Sequence, residues 1–382
     1  MCVWLWPLHT GSNALAMDAH ALQALTGAVQ RLLAGAQPGA RPPPRRVASR
    51  VVAEVAAVVA GVKPCLLFDA WDVDPASLHA AVDTISAACE RTRPVPSPSE
   101  AGGMSLDFVA GNDAAWDETL YDNALAVVRL PTASASLKEE GETSPAYPGS
   151  TEEDGFFNHH HLLICRPRRL GKELECRLTE EGETGGHQPL PVVVDVSAGL
   201  AAPRLLLEGT DGHRALVREW LLAARSLRMA DPLQAGSGLV AGLMDLPVAA
   251  DCCVAALLGL LLGYPCVYHA VSAANCLAMV PLVLHRVSAA MLSPPRGTSR
   301  AGSGRWGDGD AAVTVLSSFS YPLACQDLGS EADTDSSAAA GEVLEAAAAA
   351  WELAMVAAFR SQWLLSAPAF ATTVVILPMV AL

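Results

Sequence analysis

The feature that most constrains this chain is its repeated interruption by segments that have little means of packing. Stretches rich in Pro, Gly, Ser and acidic residues divide the 382 residues into short apolar pieces. Such a stretch buries too little apolar surface to offset its loss of conformational entropy. We therefore expect insertions without regular structure near residues 91–103, 132–158, 293–310 and 326–337. What remains suits one core, or two closely packed lobes.

The order of the remaining segments predicts a mixed α/β fold. Residues 1–46 are expected to form an N-terminal helix and a Pro/Arg linker, and residues 47–382 a single α/β domain. Helical patterns flank the short apolar run at residues 65–69, which is typical of a buried strand. Asp74 and Pro75 suit the N-cap and first turn of the helix that follows. Early α/β order of this kind indicates one mixed sheet flanked by helices.

The second half of the chain favours antiparallel strands. Residues 162–166 and 173–178 are short enough to pair as a hairpin, and residues 266–271, 279–287 and 312–319 to form a meander. A helix is predicted over residues 213–229, with Asp211 as its N-cap. Two more helices are predicted over residues 248–262 and 341–365. A last strand is predicted at residues 372–377.

Composition excludes some classes of partner. Forty acidic residues against 25 Lys and Arg give a formal net charge of -15, so nucleic-acid phosphates would repel the chain. Uncharged stretches at residues 252–284 and 364–382 keep a membrane-associated protein open as an alternative. Gly263, Pro265 and Pro281 break the first stretch, however, and we expect no membrane contact. Ten cysteines without a C-x-x-C pair are typical of buried thiols in a reducing compartment, which predicts a cytoplasmic protein, with the nucleus also open.

Several short sequence segments resemble an uncharacterised eukaryotic family that is catalogued only as a domain of unknown function. They are residues 61–69 (GVKPCLLFD), 262–268 (LGYPCVY), 275–277 (NCL), 280–282 (VPL) and 377–382 (LPMVAL). The match is discontinuous, because it falls on the ordered segments and skips the expected insertions. The resemblance implies a soluble intracellular protein with one domain. It carries over no catalytic residue.

Aspartates at the ends of predicted strands are the candidate catalytic and metal-binding residues. Asp69 ends the first strand and Asp195 ends the strand at residues 192–194. Ligands bind beyond the carboxyl ends of strands in open α/β sheets, and Mg²⁺ prefers oxygen ligands. We therefore name Asp69, Asp72 and Asp195 as candidate Mg²⁺ ligands, with Asp69 and Asp195 as candidate catalytic groups. The alternative is structural, since strand-end aspartates commonly accept hydrogen bonds from turn amides.

The segment from Asp69 to Asp74 is also similar to the strand–Asp-x-Asp pattern of haloacid-dehalogenase-like phosphatases. It departs from that pattern because Asp72 lies past the strand end. Pro75 and Ala76 follow where Thr or Val is usual.

Other motifs favour structure over chemistry. The histidines at 159–161 alternate faces if they lie on a strand, so they do not converge on one metal ion without a bend. Arg214, Arg218 and Arg225 share a helix face that suits either a phosphate or solvent. Residues 302–307 match G-x-G-x-x-G without the strand and helix that the fingerprint requires.

Two functions therefore remain. The first is a non-catalytic protein-interaction module with a protein partner, which we favour because no specific catalytic motif survives. The second is a Mg²⁺-dependent hydrolase or phosphate-ester enzyme built on the strand-end aspartates.

Overall fold

Seven helices and ten strands lie in the part of the chain that the computed structural model describes. The described residues are 17, 19–35, 42–68, 73–93, 122, 124–130, 161–179, 189–230, 240–249, 252–270, 275–291, 313–325 and 334–377. The helices are α1 (Ala19–Leu33), α2 (Arg45–Val59), α3 (Pro75–Arg91), α4 (Pro167–Leu178), α5 (Asp211–Met229), α6 (Val254–Leu261) and α7 (Thr334–Arg360). The strands are β1 (Cys65–Phe68), β2 (Leu125–Leu130), β3 (His161–Cys165), β4 (Val192–Asp195), β5 (Arg204–Leu205), β6 (Val240–Asp245), β7 (Cys266–His269), β8 (Pro281–Ala289), β9 (Thr314–Pro322) and β10 (Ala369–Ile376).

The first sheet is buried on both faces. Its strand order is β1-β3-β2-β6, with β3 antiparallel to both neighbours and β2 parallel to β6. Leu66 and Val127 point into a core shared with α1, α2 and α3. Val128 and Cys165 point into a second core with α4, α5 and α6. Helices on both faces explain why these strands are nearly continuous apolar runs.

The second sheet is small, and Asp195 lies at the edge where its parallel strands end. Strands β4 and β7 are parallel, and the two-residue β5 pairs antiparallel with β4. Asp195 lies opposite His269 in this register, so both residues occupy the carboxyl ends of parallel strands.

The third sheet is antiparallel and lies under α7. Its order is β10-β8-β9. The Trp351 ring of α7 meets the Phe319 ring of β9 edge-on, with 4.8 Å between centroids. His285 of β8 stacks on Phe319 at 5.0 Å, and its Nδ1 lies 3.2 Å from the Glu352 carboxylate of α7. Aromatic contacts therefore join the last long helix to the sheet.

The mixed α/β class predicted from sequence is confirmed, but the strands divide among three sheets where one was expected. Helix α6 shares one core with Leu163 of the first sheet and Val267 of the second, so helical side chains occupy the space between these sheets. Strand β7 consequently pairs with β4, and it is β10, returning after α7, that joins β8 and β9.

Two local predictions were wrong for reasons visible in the capping residues. The expected hairpin partner at residues 173–178 belongs to helix α4, because Pro167 occupies the first helical position and Leu170 and Leu174 are buried four residues apart. Thr210, not Asp211, caps α5 by accepting a hydrogen bond from the His213 amide. The prediction for α3 is confirmed, since the Asp74 side chain accepts from the Ser77 amide at 3.0 Å.

The expected insertions at residues 132–158 and 293–310 lie outside the described residues. The expected insertions at residues 91–103 and 326–337 each overlap a helix at one end, because α3 continues to Arg91 and α7 begins at Thr334. Helix α1, which we assigned to a separate N-terminal segment, places Leu25 and Val29 in the same core as α2 and α3. No helix within the described ranges is both long and apolar enough to cross a bilayer.

Candidate functional site: a cationic cleft

A cationic cleft begins at the turn between α2 and β1. Gly61 has a φ of +74°, and its amide bonds to the Val58 carbonyl while the Val62 amide bonds to the Ala57 carbonyl. This is the Schellman arrangement, in which a residue without Cβ ends the helix in a left-handed conformation. The turn reverses the chain directly before Lys63 and brings that lysine toward the interior.

Helix α4 supplies the opposite wall of the cleft. Leu170 and Leu174 are buried against the core, so the neighbouring stripe of Arg169, Glu173 and Arg177, also four residues apart, faces the opening. The stripe is cationic at both ends with one carboxylate between. The local sequence therefore makes one side of α4 a structural contact and the adjacent side a charged surface.

Gly171 fixes the position of α4 against α5. A Cβ placed on Gly171 would lie 2.4 Å from the Arg228 amide nitrogen and 2.5 Å from the Ala224 carbonyl oxygen. The two helices can approach this closely only because residue 171 has no side chain. Glu175 adds an ion pair with Arg228 at 2.6 Å and one with Arg225 at 3.2 Å.

Two cations of the cleft are buried in the protein. Arg166 is 9% exposed and donates from Nη2 to the Val59 carbonyl at 2.7 Å, at the carboxyl end of α2. Lys63 is 7% exposed and donates from Nζ to the Leu316 carbonyl of β9 at 2.5 Å. Burial, and then the neighbouring Arg169 charge, lowers the pKa of Arg166 to about 10, so this guanidinium still carries its charge at neutral pH. Like charges thus crowd together at this end of the cleft.

The remaining walls are apolar. Trp351, Ala354 and Met355 of α7 line one side, and Leu260 and Leu262 line another. The cavity volume of the cleft is about 120 Å³. The cleft is continued by a narrower groove with a cavity volume of about 30 Å³, which shares Arg177, Gly263 and Trp351 with the cleft. The groove is otherwise lined by Pro189, Leu190, Tyr264, Pro265, Ala347 and Ala350.

The cleft and its groove suit an anionic ligand that also has an apolar part. Lys63, Arg166, Arg169 and Arg177 against Glu173 give the lining a formal charge of +3, in a chain whose net charge is -15. A cleft of one charge sign with low-dielectric walls concentrates its field and attracts ligands of the opposite sign. Arginine forks match carboxylate or phosphate oxygens, and the apolar walls accept hydrophobic groups.

Asp195, the strand-end aspartate predicted as a catalytic and metal-binding residue, is held by protein groups. One carboxylate oxygen accepts from the Ser197 hydroxyl at 2.7 Å and from the Ser197 amide at 3.1 Å, and the other accepts from Arg204 Nη2 at 3.0 Å. Burial raises the pKa of Asp195, but the hydrogen bonds from Ser197 and Arg204 outweigh it and hold this pKa below its usual value. His269 Nδ1 is 3.9 Å away.

The Mg²⁺ site stays a prediction. Asp69 and Asp72 lie outside the described residues. Strand β1, which precedes Asp69, and strand β4, which ends at Asp195, belong to different sheets. Among the described residues no group of three or more His, Cys, Asp or Glu side chains is placed to hold a metal ion. Asp195 would have to exchange its contacts with Ser197 and Arg204 for such an ion.

The arginines of α5 form ion pairs and hydrogen bonds within the protein. Arg225 and Arg228 pair with Glu175, Arg218 donates to the Arg214 carbonyl, and Arg214 lies 3.8 Å from Asp211. Of the three consecutive histidines, His161 begins β3 and the other two lie outside the described residues.

Our sequence-based prediction missed the cationic cleft because it missed α4. The signal was present, since Pro167 followed by Leu170, Leu174 and Leu178 predicts an amphipathic helix. On that helix, Arg169 and Arg177 fall on one stripe. No pattern in the sequence connects this stripe with Lys63, which reaches it only through the tertiary fold.

Comparisons with known proteins do not assign this chain to a family. No protein-family model, no curated protein and no solved structure matches the chain. The resemblance to an uncharacterised family therefore stays a prediction.

Proposed function

We propose that this chain is a non-catalytic interaction protein that holds an acidic, partly apolar segment of a protein partner in the cationic cleft. One observation carries the proposal: Lys63, Arg166, Arg169 and Arg177 line a single cleft in a chain with a net charge of -15. The acidic balance of the rest of the surface repels such a partner elsewhere and leaves this cleft as the attractive region.

The shape of the site favours an extended peptide over a compact ligand. The cleft continues past Arg177 and Trp351 into the groove beside Pro189, Leu190 and Pro265. A segment lying along this path places an acidic side chain near Arg169 and apolar side chains against α7. Charged contacts then provide orientation and encounter rate, and apolar contacts provide most of the affinity.

The cysteines support a reducing compartment, the cytoplasm or nucleus, for this interaction. Nine cysteines fall in the described residues, and none of these nine forms a disulfide. Burial raises the pKa of Cys65 and of Cys89 to about 12, so both stay protonated and unreactive at neutral pH.

The proposal is tested by peptide binding to charge variants of the cleft. The probe is a fluorescein-labelled peptide of alternating Glu and Leu, and its matched control replaces every Glu by Gln. The double variant Arg169→Gln/Arg177→Gln removes two cations from α4, and Arg214→Gln/Arg218→Gln removes two exposed cations from α5 outside the cleft. At roughly 0.7 kcal/mol for each partly exposed charge, we expect about tenfold weaker binding for the α4 variant.

Fluorescence anisotropy measures the dissociation constants. We expect the α5 variant to bind the acidic peptide within about twofold of the unmodified protein, because its charges lie outside the cleft. Equal weakening in the α4 and α5 variants, or equal binding of the Glu and Gln peptides, would contradict the proposal. Binding should also weaken as salt is added, since salt screens attraction between exposed charges.

A further inference from the structure

Two arginine side chains of α4 meet at the turn that follows α2. Arg166 donates to the carbonyl of Val59, at the carboxyl end of α2. Two residues further along, a Cβ placed on Gly61 would lie 4.0 Å from Nη2 of Arg169. Arg166 is the N-cap of α4 and Arg169 lies three residues later, so the two are neighbours on the helix surface. Both guanidinium groups therefore lie beside the same short turn, which leads directly into Lys63.

The cations at this end of the cleft keep their charge. The hydrogen bonds of Lys63 and Arg166 described above end at backbone carbonyls, which are neutral. Arg169 is exposed and forms no ion pair within the described part of the chain. The carboxyl end of α2 and the amino end of α4 carry opposite partial charges of about one half, which nearly cancel. Glu173, one turn beyond Arg169, offsets one positive charge, so about two remain.

This excess charge favours a phosphate over a carboxylate. After burial, the Arg169 charge is the largest cause that lowers the pKa of Arg166, so the two like charges already oppose each other. An anion between them turns this repulsion into attraction. A carboxylate brings one negative charge, whereas a phosphate monoester brings about 1.5 to 2 at pH 7 and three acceptor oxygens. Arginine clusters are the groups that recognise phosphorylated segments in this way.

We propose that the anionic group held beside Arg169 is the phosphate of a phosphorylated residue in the partner segment. This inference rests on the proposed function, because it takes the extended acidic segment from there and names the group that occupies the Lys63 end of the cleft. The apolar side chains of the segment lie against Trp351 and the groove, as before. Phosphorylation of the partner then controls binding, because a segment without the phosphate keeps only the weaker contacts of its carboxylates.

The test changes one residue of the peptide of alternating Glu and Leu. The central Glu is replaced by phosphoserine in the probe and by serine in its control. Fluorescence anisotropy should show the phosphoserine peptide binding about tenfold tighter than the Glu peptide, the effect of roughly one more charge-assisted hydrogen bond. Equal binding of the phosphoserine and Glu peptides would overturn the phosphate assignment and leave the acidic-segment proposal standing. Equal binding of all the peptides, the Gln peptide included, would overturn both.

Single substitutions on α4 locate the phosphate within the cleft. Arg169→Gln removes the exposed cation beside Gly61, and the preference for phosphoserine over Glu should fall from about tenfold to about twofold. Arg177→Gln is the matched control, because it removes a cation from the other end of the same stripe. It should weaken both peptides and keep the preference near tenfold. An Arg169→Gln protein with the full preference, or an equal loss of preference in the two variants, would contradict this placement.

A change of pH and a competitor identify the anion and its source. The second pKa of a phosphate is about 6, so the preference for phosphoserine should disappear between about pH 7.5 and pH 5.5. The Glu peptide, measured in the same series, corrects for titration of the protein. Free O-phosphoserine lacks the apolar contacts and should displace the phosphopeptide only at about a hundredfold higher concentration than the peptide itself requires. A preference unchanged at low pH, or displacement at equal concentration, would overturn the proposal, the second in favour of a small phosphate ester.

Discussion

Replacement of Gly171 by alanine tests whether the close approach of α4 and α5 holds the cleft together. The added Cβ would lie 2.4 Å from the Arg228 amide nitrogen, whereas ordinary contacts begin at 3.4 Å, so the helices must separate by about 1 Å. Overpacking of this kind destabilises by about 3 kcal/mol, and the better helix propensity of alanine returns about 1 kcal/mol. We therefore expect Gly171→Ala to lower the free energy of unfolding by about 2 kcal/mol.

The matched control is Gly341→Ala in α7. A Cβ at this position meets nothing within 4 Å, so only the propensity gain of about 1 kcal/mol remains. Urea unfolding followed by circular dichroism measures both variants, and the two changes should have opposite signs. A Gly171→Ala protein as stable as the unmodified chain would refute the reasoning. Gly171→Ala should also weaken acidic-peptide binding, because Arg169 and Arg177 move with α4.

Two further predictions concern aspartates with defined partners. Asp74→Ala should lower the free energy of unfolding by about 1 kcal/mol, because the Ser77 amide loses its hydrogen-bond acceptor. The same substitution at exposed Asp211, which is not a cap, should change this free energy by less than about 0.5 kcal/mol. Urea titrations measure both variants. The pKa of Asp195 is below its usual value in the folded protein, so its contribution to stability is present above the unfolded pKa of about 3.9 and is lost as pH falls through the folded pKa. Asp195→Asn should therefore be least stable relative to the unmodified protein near neutral pH, with the difference shrinking below about pH 4; a difference that grows on acidification would contradict this assignment.

Local signals in the sequence predicted individual elements well and their assembly poorly. Asp74 and Pro75 mark the start of α3 because capping depends on neighbouring residues. The partner of β7 was not predictable in this way, since Val192 pairs with Cys266 across more than seventy positions and apolar strands of similar length are interchangeable by pattern. Helix α4 was predictable and was missed, because its short apolar run followed directly on a strand.

The candidate site shows the same division. Asp195 was singled out correctly as a strand-end residue, but its sequence position gave no sign that Arg204 and Ser197 would satisfy it. Lys63 and Arg166 drew no attention, because a single cation beside an apolar run has no pattern. Lys63 and Arg166 line one cleft only after α2, α4 and β9 have packed together, and this packing depends on the tertiary fold.

The hydrogen bond from Lys63 to the Leu316 carbonyl joins positions 253 residues apart. At a ribosomal rate of about 5–20 residues per second, the lysine is made roughly 13 to 50 s before its acceptor exists. In the later part of that interval the nascent chain carries the cations of α4 but lacks β9 and the α7 wall with Trp351. An assembled cleft therefore requires that translation has passed α7, and a product truncated before β9 retains the charge without the site.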